Sequence, residues 1–274
     1  MIAHLTVWDM TSATSRSVLV THTHIEAPNW SRCGTYLLVN ADGALFRVAL
    51  DKPELTPVDL GGLTRLNNDH GISPDGETCA ISCHHRGHGA EIYLIPVGGG
   101  VPRLVSAAAP SWWHGWSPDG ATLAYVAARE GSAVDVYTMP ALGGPERRLT
   151  LGEGHCDGPD FSADGQHIYY NCDRDGHAQI WVMGADGSGQ RKLFADDRVN
   201  WFPHPSPCGT HVIYLAYPKG TLGHPANLPV SIWVMKPDGT DRIKLASFIG
   251  GQGTMNVPNW APDSSAFAYV RYEP

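Results

Sequence analysis

One short turn sequence is written six times along the chain: Ser31-Arg32-Cys33-Gly34, Ser73-Pro74-Asp75-Gly76, Ser117-Pro118-Asp119-Gly120, Ser162-Ala163-Asp164-Gly165, Ser206-Pro207-Cys208-Gly209 and Ala261-Pro262-Asp263-Ser264. Successive first positions lie 42, 44, 45, 44 and 55 residues apart. A fixed period of this size signals one supersecondary unit repeated, which must be settled before any motif is read. The chemistry of the turn is legible: Pro presets φ at the second position, Asp bonds back to nearby backbone, and Gly accepts positive φ at the end.

Each turn is followed by an alternating run such as Thr122-Leu123-Ala124-Tyr125-Val126. A third strand (Val134 to Met139), a Gly-rich turn (Leu142-Gly143-Gly144) and Arg147-Arg148-Leu149-Thr150 come next. A short strand ending on Trp30, Ile72, Trp116, Phe161 or Trp260 precedes it, with Pro205 in the fifth unit. Four short antiparallel strands per unit, separated by turns, make one blade of an all-β propeller. The units are predicted at 26–60, 66–106, 110–151, 155–195 and 199–249, with a sixth shared between 254–274 and 4–23. The N-terminal strands lack a preceding turn and the C-terminal ones stop after two. The two ends are therefore expected to complete one four-stranded blade, closing six blades into a single domain over 1–274 and removing open sheet edges.

Trp116-Ser117-Pro118-Asp119-Gly120, Val136-Tyr137-Thr138-Met139, Gly143-Gly144 and Arg148-Leu149-Thr150 resemble the TolB-like propeller repeat, of the WD40-like or PD40 kind. The resemblance covers essentially the whole chain. It implies the propeller fold and leaves function to the site, since such blades serve many proteins.

The totals narrow the partners. The formal charge is −8 and no Lys/Arg run interleaves with aromatics, so neither nucleic acid nor an anionic membrane is an expected partner. No stretch approaches the roughly 18 apolar residues of a spanning segment. The start, Met1 to Val7, has no basic region followed by a long apolar run, so no secretion signal is expected. Six cysteines (Cys33, Cys79, Cys83, Cys156, Cys172, Cys208) without CxxC spacing argue for reduced, mostly packed thiols, a cytoplasmic setting and no Cys-based zinc site.

Strand parity sorts the remaining residues. In an up-and-down blade the Ser-Pro-Asp-Gly and Gly-Gly turns share one face of the disc. The other face receives the segments entering each innermost strand, the loops between second and third strands, and both termini. Polar and aromatic residues recur in those entering segments. They include Asn68, Asp69 and His70, Trp112 and His114, His155, Asp157 and Asp160, Asn200, Trp201 and His204, and Gln252 with Asn256. The fifth unit adds a loop about ten residues longer than its counterparts, carrying His224 and Asn227. Trp30, Trp116 and Trp260, just before the turns, are expected to pack between blades. The turn aspartates are turn formers on the opposite face, and the His84/His85/His88 tract reads as solvated.

His70 and His114 stand at the same register, three residues before the turn Ser, and His204 one residue later in its unit. Imidazole is a common neutral metal ligand, so these three are the expected ligands of a divalent ion such as Mn, Zn or Ca. The alternative is that each bonds a backbone carbonyl or water in a polar pore. Asp69, Asp157 and His155 are the candidate acid–base groups, with strand-end capping by the aspartates as the alternative. Asn68, Trp112, Asp160, Asn200, Trp201, His224, Asn227, Gln252 and Asn256 are the candidate ligand-binding residues, with Trp112 or Trp201 as a stacking platform. Serine-hydrolase, P-loop and dinucleotide signatures are absent.

Two function classes follow. One is a pore-mouth site for a small polar ligand, a sugar or uronate, with metal-assisted lyase or hydrolase chemistry. The oligogalacturonate lyase propellers, whose His-Pro-Ser metal-site stretch is similar to His204-Pro205-Ser206, imply that option. The other is a non-enzymatic scaffold that docks a protein or peptide.

Overall fold

A computed structural model describes residues 1–84, 87, 89–129 and 133–273. His85 and His88 of the His-rich tract lie outside the described residues. Among these residues the protein is all-β, with antiparallel strands and no helix; none is therefore long and apolar enough to cross a membrane.

Each repeat turn does what its residues dictate. The fourth residue donates its N–H to the carbonyl of the first, from Gly34 N to Ser31 O (3.0 Å) through Gly120 N to Ser117 O (2.8 Å) to Ser264 N to Ala261 O (2.9 Å). That fourth residue is left-handed every time, with φ between 63° at Ser264 and 81° at Gly76, which glycine adopts without cost. In three turns the Ser hydroxyl donates to the Asp carboxylate at 2.5 Å (Ser73–Asp75, Ser117–Asp119, Ser162–Asp164).

Between the turns lie four four-stranded sheets and one of seven strands. The first runs Glu26–Trp30, Tyr36–Ala41, Ala44–Ala49, Thr56–Pro57, and the second Leu66–Ile72, Thr78–Cys83, Glu91–Pro96, Arg103–Leu104. The third runs Ser111–Trp116, Thr122–Ala127, Asp135–Pro140, Arg147–Arg148, and the fourth Cys156–Phe161, His167–Cys172, Gln179–Gly184, Arg191–Lys192. The seven-stranded sheet opens with Val199–Pro205, Val212–Tyr217, Leu228–Met235 and Ile243–Gly250. It then crosses, through the single pair Ile249–Tyr272, to Ala266–Glu273, Ile2–Asp9 and Thr14–Thr21. The first and last strands pair without interruption from Ile2–Glu273 to Asp9–Ala266. The expected leading strand of the last unit is reduced to one bridge, Trp260–Phe267, and residues 251–259 form no strand.

Side chains tie each leading segment to the next. Asn29 accepts from Ile72 N and donates to Pro258 O, and Trp116 Nε1 donates to Gly71 O. His114 meets Asp157, His204 meets Asp160, and Trp260 Nε1 donates to His204 O. This circuit of contacts returns to its starting segment. Trp30, Trp116 and Trp260 are buried between sheets, as their position before the turn predicts.

Every strand-forming leading segment carries a β-bulge, and its size varies. Three residues (67–69) face one across the break in Leu66–Ile72, whereas a single extra residue, His114, sits between the paired Trp113 and Gly115. In Cys156–Phe161 and Val199–Pro205 the break falls at 158–159 and 202–203, with positive φ at Gly158 (59°) and Phe202 (54°). Phe202 is held in that costly conformation by Asn171 Oδ1, which accepts its N–H at 3.0 Å. Bulges re-aim side chains.

The axis is filled. Thr254, Met255, Asn256 and Val257 are irregular yet fully buried, and Val257 packs in one cluster with Trp113, Trp116 and Ala27. Cys156 and Cys172, opposite each other in register, form a disulfide. That corrects the expectation of reduced thiols for this pair; sequence spacing could not show that the two face each other across neighbouring strands. Among the described residues Cys33, Cys79 and Cys208 form no disulfide.

Gly71 backs the filled axis: a Cβ there would stand 2.1 Å from Trp113 Cη2 on a ring with no exposed surface. Gly71→Ala should therefore destabilise the protein by about 1–3 kcal/mol in chemical denaturation. Gly98→Ala, which meets nothing within 4 Å, should leave the midpoint unchanged. Equal midpoints would show that Trp113 is free to move.

Candidate active site

A cavity of about 230 Å³ lies at the end of the disc where the leading segments begin. The bulge of the second sheet delivers Asn67, Asn68 and Asp69, and the third sheet gives Trp112 and His114, backed by Val126 and Val134. His155 and Asp157 come from the fourth, Phe202 from the fifth unit, His224 from its long loop, and Gln252 and Asn256 from the irregular last segment. Asn68, Asp69, His114, Asp157, Phe202 and Asn256 are buried and form the floor. Asn67, Trp112, His155, His224 and Gln252 are half-buried and form the rim.

Asp157 is the hub. Its Oδ1 stands 3.0 Å from His114 Nε2, and its Oδ2 stands 3.6 Å from both His155 Nε2 and His224 Nε2. Burial works against its charge, but the three imidazoles prevail and hold the carboxyl well below the usual carboxylate range. His114 is likewise opposed by burial, yet Asp69 and Asp157 together push it up to about 9, making it an imidazolium between two carboxylates. Asp69, buried and near Asp157, is raised to about 6 although His114 and its Asn67 hydrogen bond pull the other way. The Asp157 contact raises His155, while burial lowers His224.

Protonation geometry is telling at His224. Its Nδ1 hydrogen bonds to Gln252 Oε1, an acceptor only, so Nδ1 carries the proton and Nε2 of the neutral ring presents a lone pair toward Asp157 Oδ2. Two acceptor atoms facing each other call for a positive charge between them. His155 Nε2, buried and without a hydrogen-bond partner, faces the same oxygen. The donor atoms of His155, Asp157 and His224 all lie within 4.8 Å of one another. Two donors about 2.1 Å from one tetrahedral ion stand roughly 3.4 Å apart, close to the 3.6 Å of the two His–Asp pairs, so the residues fit a divalent metal.

The ligand trio expected from the sequence, His70, His114 and His204, is not gathered. His70 follows a three-residue bulge and pairs with Ile81, whereas His114 is itself the bulged residue, so equal spacing from the turn does not give equal direction. His70 is fully buried, outside the cavity, and burial pushes it down to about 4. Both His204 nitrogens are engaged, with Asp160 Oδ2 at 3.0 Å and Met255 O at 2.9 Å. That also removes Asp160, which lines a separate cavity at the turn face. Asn200 is buried against Gln179 and Asp196. Trp201 stands behind the rings of His224 (4.4 Å between centroids) and His155 (5.9 Å) rather than lining the cavity, and Asn227 is exposed outside it. Asp69, Asp157, His155, Asn68, Trp112, His224, Gln252 and Asn256 do come together, with His114. Asn67, Phe202, Val126 and Val134 were not singled out; Asn67 was signalled by its place beside Asn68, the apolar three by nothing but hydrophobicity.

The sequence model of the TolB beta propeller domain matches residues 73–227. The uncharacterized protein Atu1656 of Agrobacterium fabrum is 45% identical over 275 residues, covering 100% of this chain and 94% of that protein. The chain belongs to the TolB beta propeller domain family. A solved structure from Agrobacterium tumefaciens designated TolB superposes on this TolB-like propeller with a TM-score of 0.98 at 45% identity, over 100% and 99% of the two chains. An oligogalacturonate lyase in complex with manganese shares the fold at 14% identity, with a TM-score of 0.57 over 81% of this chain and 65% of that one.

In the metal-free TolB-like protein the His114 ring should titrate near pH 9 rather than at its ordinary 6.5. Its folded pKa is raised, so its contribution to stability is complete below about pH 6.5 and is lost as pH rises through about 9. NMR titration of the ring protons checks the first statement. Melting curves of His114→Gln check the second, since they should lack that alkaline loss. A ring that titrates near 6.5 would exclude the paired-carboxylate arrangement.

Proposed function

We propose that the protein is a single six-bladed propeller, its last blade shared by the two chain ends, that holds a divalent cation on His155, Asp157 and His224 and binds a small acidic carbohydrate there. The observation that carries this reading is the His224 lone pair facing the Asp157 carboxylate, with the unpartnered His155 nitrogen alongside. The likeness to a manganese-bound oligogalacturonate lyase is one of fold, and it is consistent with this reading.

Charge supports an anionic ligand. With His114 protonated and Asp69 and Asp157 ionised at neutral pH, these three groups sum to one negative charge, which a dication turns into one positive charge. Trp112, Val126 and Val134 offer an apolar wall to the face of a sugar ring, and the amides around them suit hydroxyls. A filled axis disfavours the alternative of a peptide threaded through the disc.

A bound divalent ion would withdraw electron density from a uronate carboxylate and acidify the neighbouring C–H. In the lyase reading Asp69 takes that proton, the C–H pair becomes the new C=C bond, and the leaving oxygen departs with its bonding pair. His114 fixes Asp157 through Oδ1 so that Oδ2 stays directed at the two ligand rings.

Purified protein should take up one equivalent of Mn²⁺ by isothermal titration and elemental analysis. His155→Ala and His224→Ala should each weaken uptake by at least tenfold, and His70→Ala should leave it unchanged. Absence of stoichiometric metal, together with retrieval of a specific protein partner, would replace this reading with that of an interaction scaffold.

A further inference from the structure

The shape of the site says how much of a ligand it can take. Its rim and floor are drawn from the second to the sixth repeat units, which makes it a cup at the meeting point of five units. The floor is closed by the buried Thr254–Val257 segment, with Val257 packed against Trp113, and the cavity at the turn face is separate. On one side the long fifth-unit loop is pinned over the site: His224 bonds Gln252, and Gln252 N donates to Pro225 O at 3.3 Å. At about 230 Å³ the volume falls below the ~300–1,000 Å³ typical of pockets for drug-sized ligands. It equals roughly eight water volumes of ~30 Å³ each. That is room on the scale of one sugar ring.

Within that cup the chemistry is polarised. The His155–Asp157–His224 cluster and the Trp112–Val126–Val134 wall are both lining elements, and among the described residues the Gln252 amide nitrogen has no protein partner. A six-membered sugar acid has the matching features: one carboxylate, one apolar ring face and a rim of hydroxyls.

We infer that the site recognises a single terminal sugar-acid unit end-on, its carboxylate toward the His/Asp cluster and its ring against Trp112, with any further units projecting into solvent. This rests on the metal-centre reading above and adds the size and the direction of entry of the ligand. It makes the protein an end-recognising device, blind to chain length.

The test is isothermal titration on the full chain, in two stages. Mn²⁺ alone comes first; without a stoichiometric binding heat, the metal-centre reading and this inference fall together. The Mn²⁺-loaded protein is then titrated with galacturonate, glucuronate, and the galacturonate dimer and trimer, with galactose and acetate for comparison. At least one monomeric uronate should bind. Monomer, dimer and trimer of galacturonate should bind within about threefold of one another, and galactose and acetate at least tenfold more weakly. Trp112→Ala should weaken uronate binding at least tenfold while Mn²⁺ uptake stays intact. Affinity rising tenfold or more with each added unit would mean a row of subsites and would overturn end-on recognition. So would acetate or galactose matching the uronate, or a metal-loaded protein that ignores both uronates; in each case the metal centre would stand.

Discussion

The pairing of Ile2–Asp9 with Ala266–Glu273 is the constraint on which the rest depends. A row of four-stranded sheets has two ends, each exposing backbone donors and acceptors. Eight consecutive residue pairs between the first and last strands join those ends in one sheet, and Asn29 carries the circuit from Pro258 to Ile72. Because the ends meet, residues 251–259, which form no strand, are held at the centre. They provide Gln252 and Asn256 to the site and Val257 to the filled axis. Without that pairing, neither floor nor rim would be complete.

The site follows the burial rule for charge closely. Buried carboxylates and imidazoles are costly unless paired, and here each ionised group is matched by the next, from Asp69 through His114 to Asp157. The chain of opposite charges ends at Asp157 Oδ2, which His155 Nε2 and His224 Nε2 each approach at 3.6 Å. There the neutral His224 ring turns its Nε2 lone pair toward the carboxylate. Trp201 and Phe202 press against the His224 ring and leave it little freedom to turn away.

Bulges make this possible. A regular strand sends alternate side chains to opposite faces, so a leading strand at the axis would offer the cavity at most every second residue. The breaks in Leu66–Ile72 and Cys156–Phe161 instead send clustered residues to one place, and the single inserted His114 meets Asp157 from the neighbouring sheet. The strained Phe202 is part of the same device, its backbone fixed by Asn171 of the preceding unit.

The repeat, the turn geometry, the all-β class and the end of the disc that gathers polar residues were all written in the sequence, because they depend on local rules. Those rules are the φ preferences of Pro and Gly, the back-bonding of Ser and Asp, and the parity of antiparallel strands. Asp157, His155 and His224 could be marked as chemically able for the same reason. Which histidines meet could not be read, since His70 and His114 share a spacing, yet His70 follows a three-residue bulge and pairs in the ladder whereas His114 is itself a bulged residue. The Cys156–Cys172 bond and the filling of the axis by Thr254–Val257 were equally out of reach. Each is a relation between segments far apart in the chain or across a sheet, and only the closed set of long-range contacts decides it.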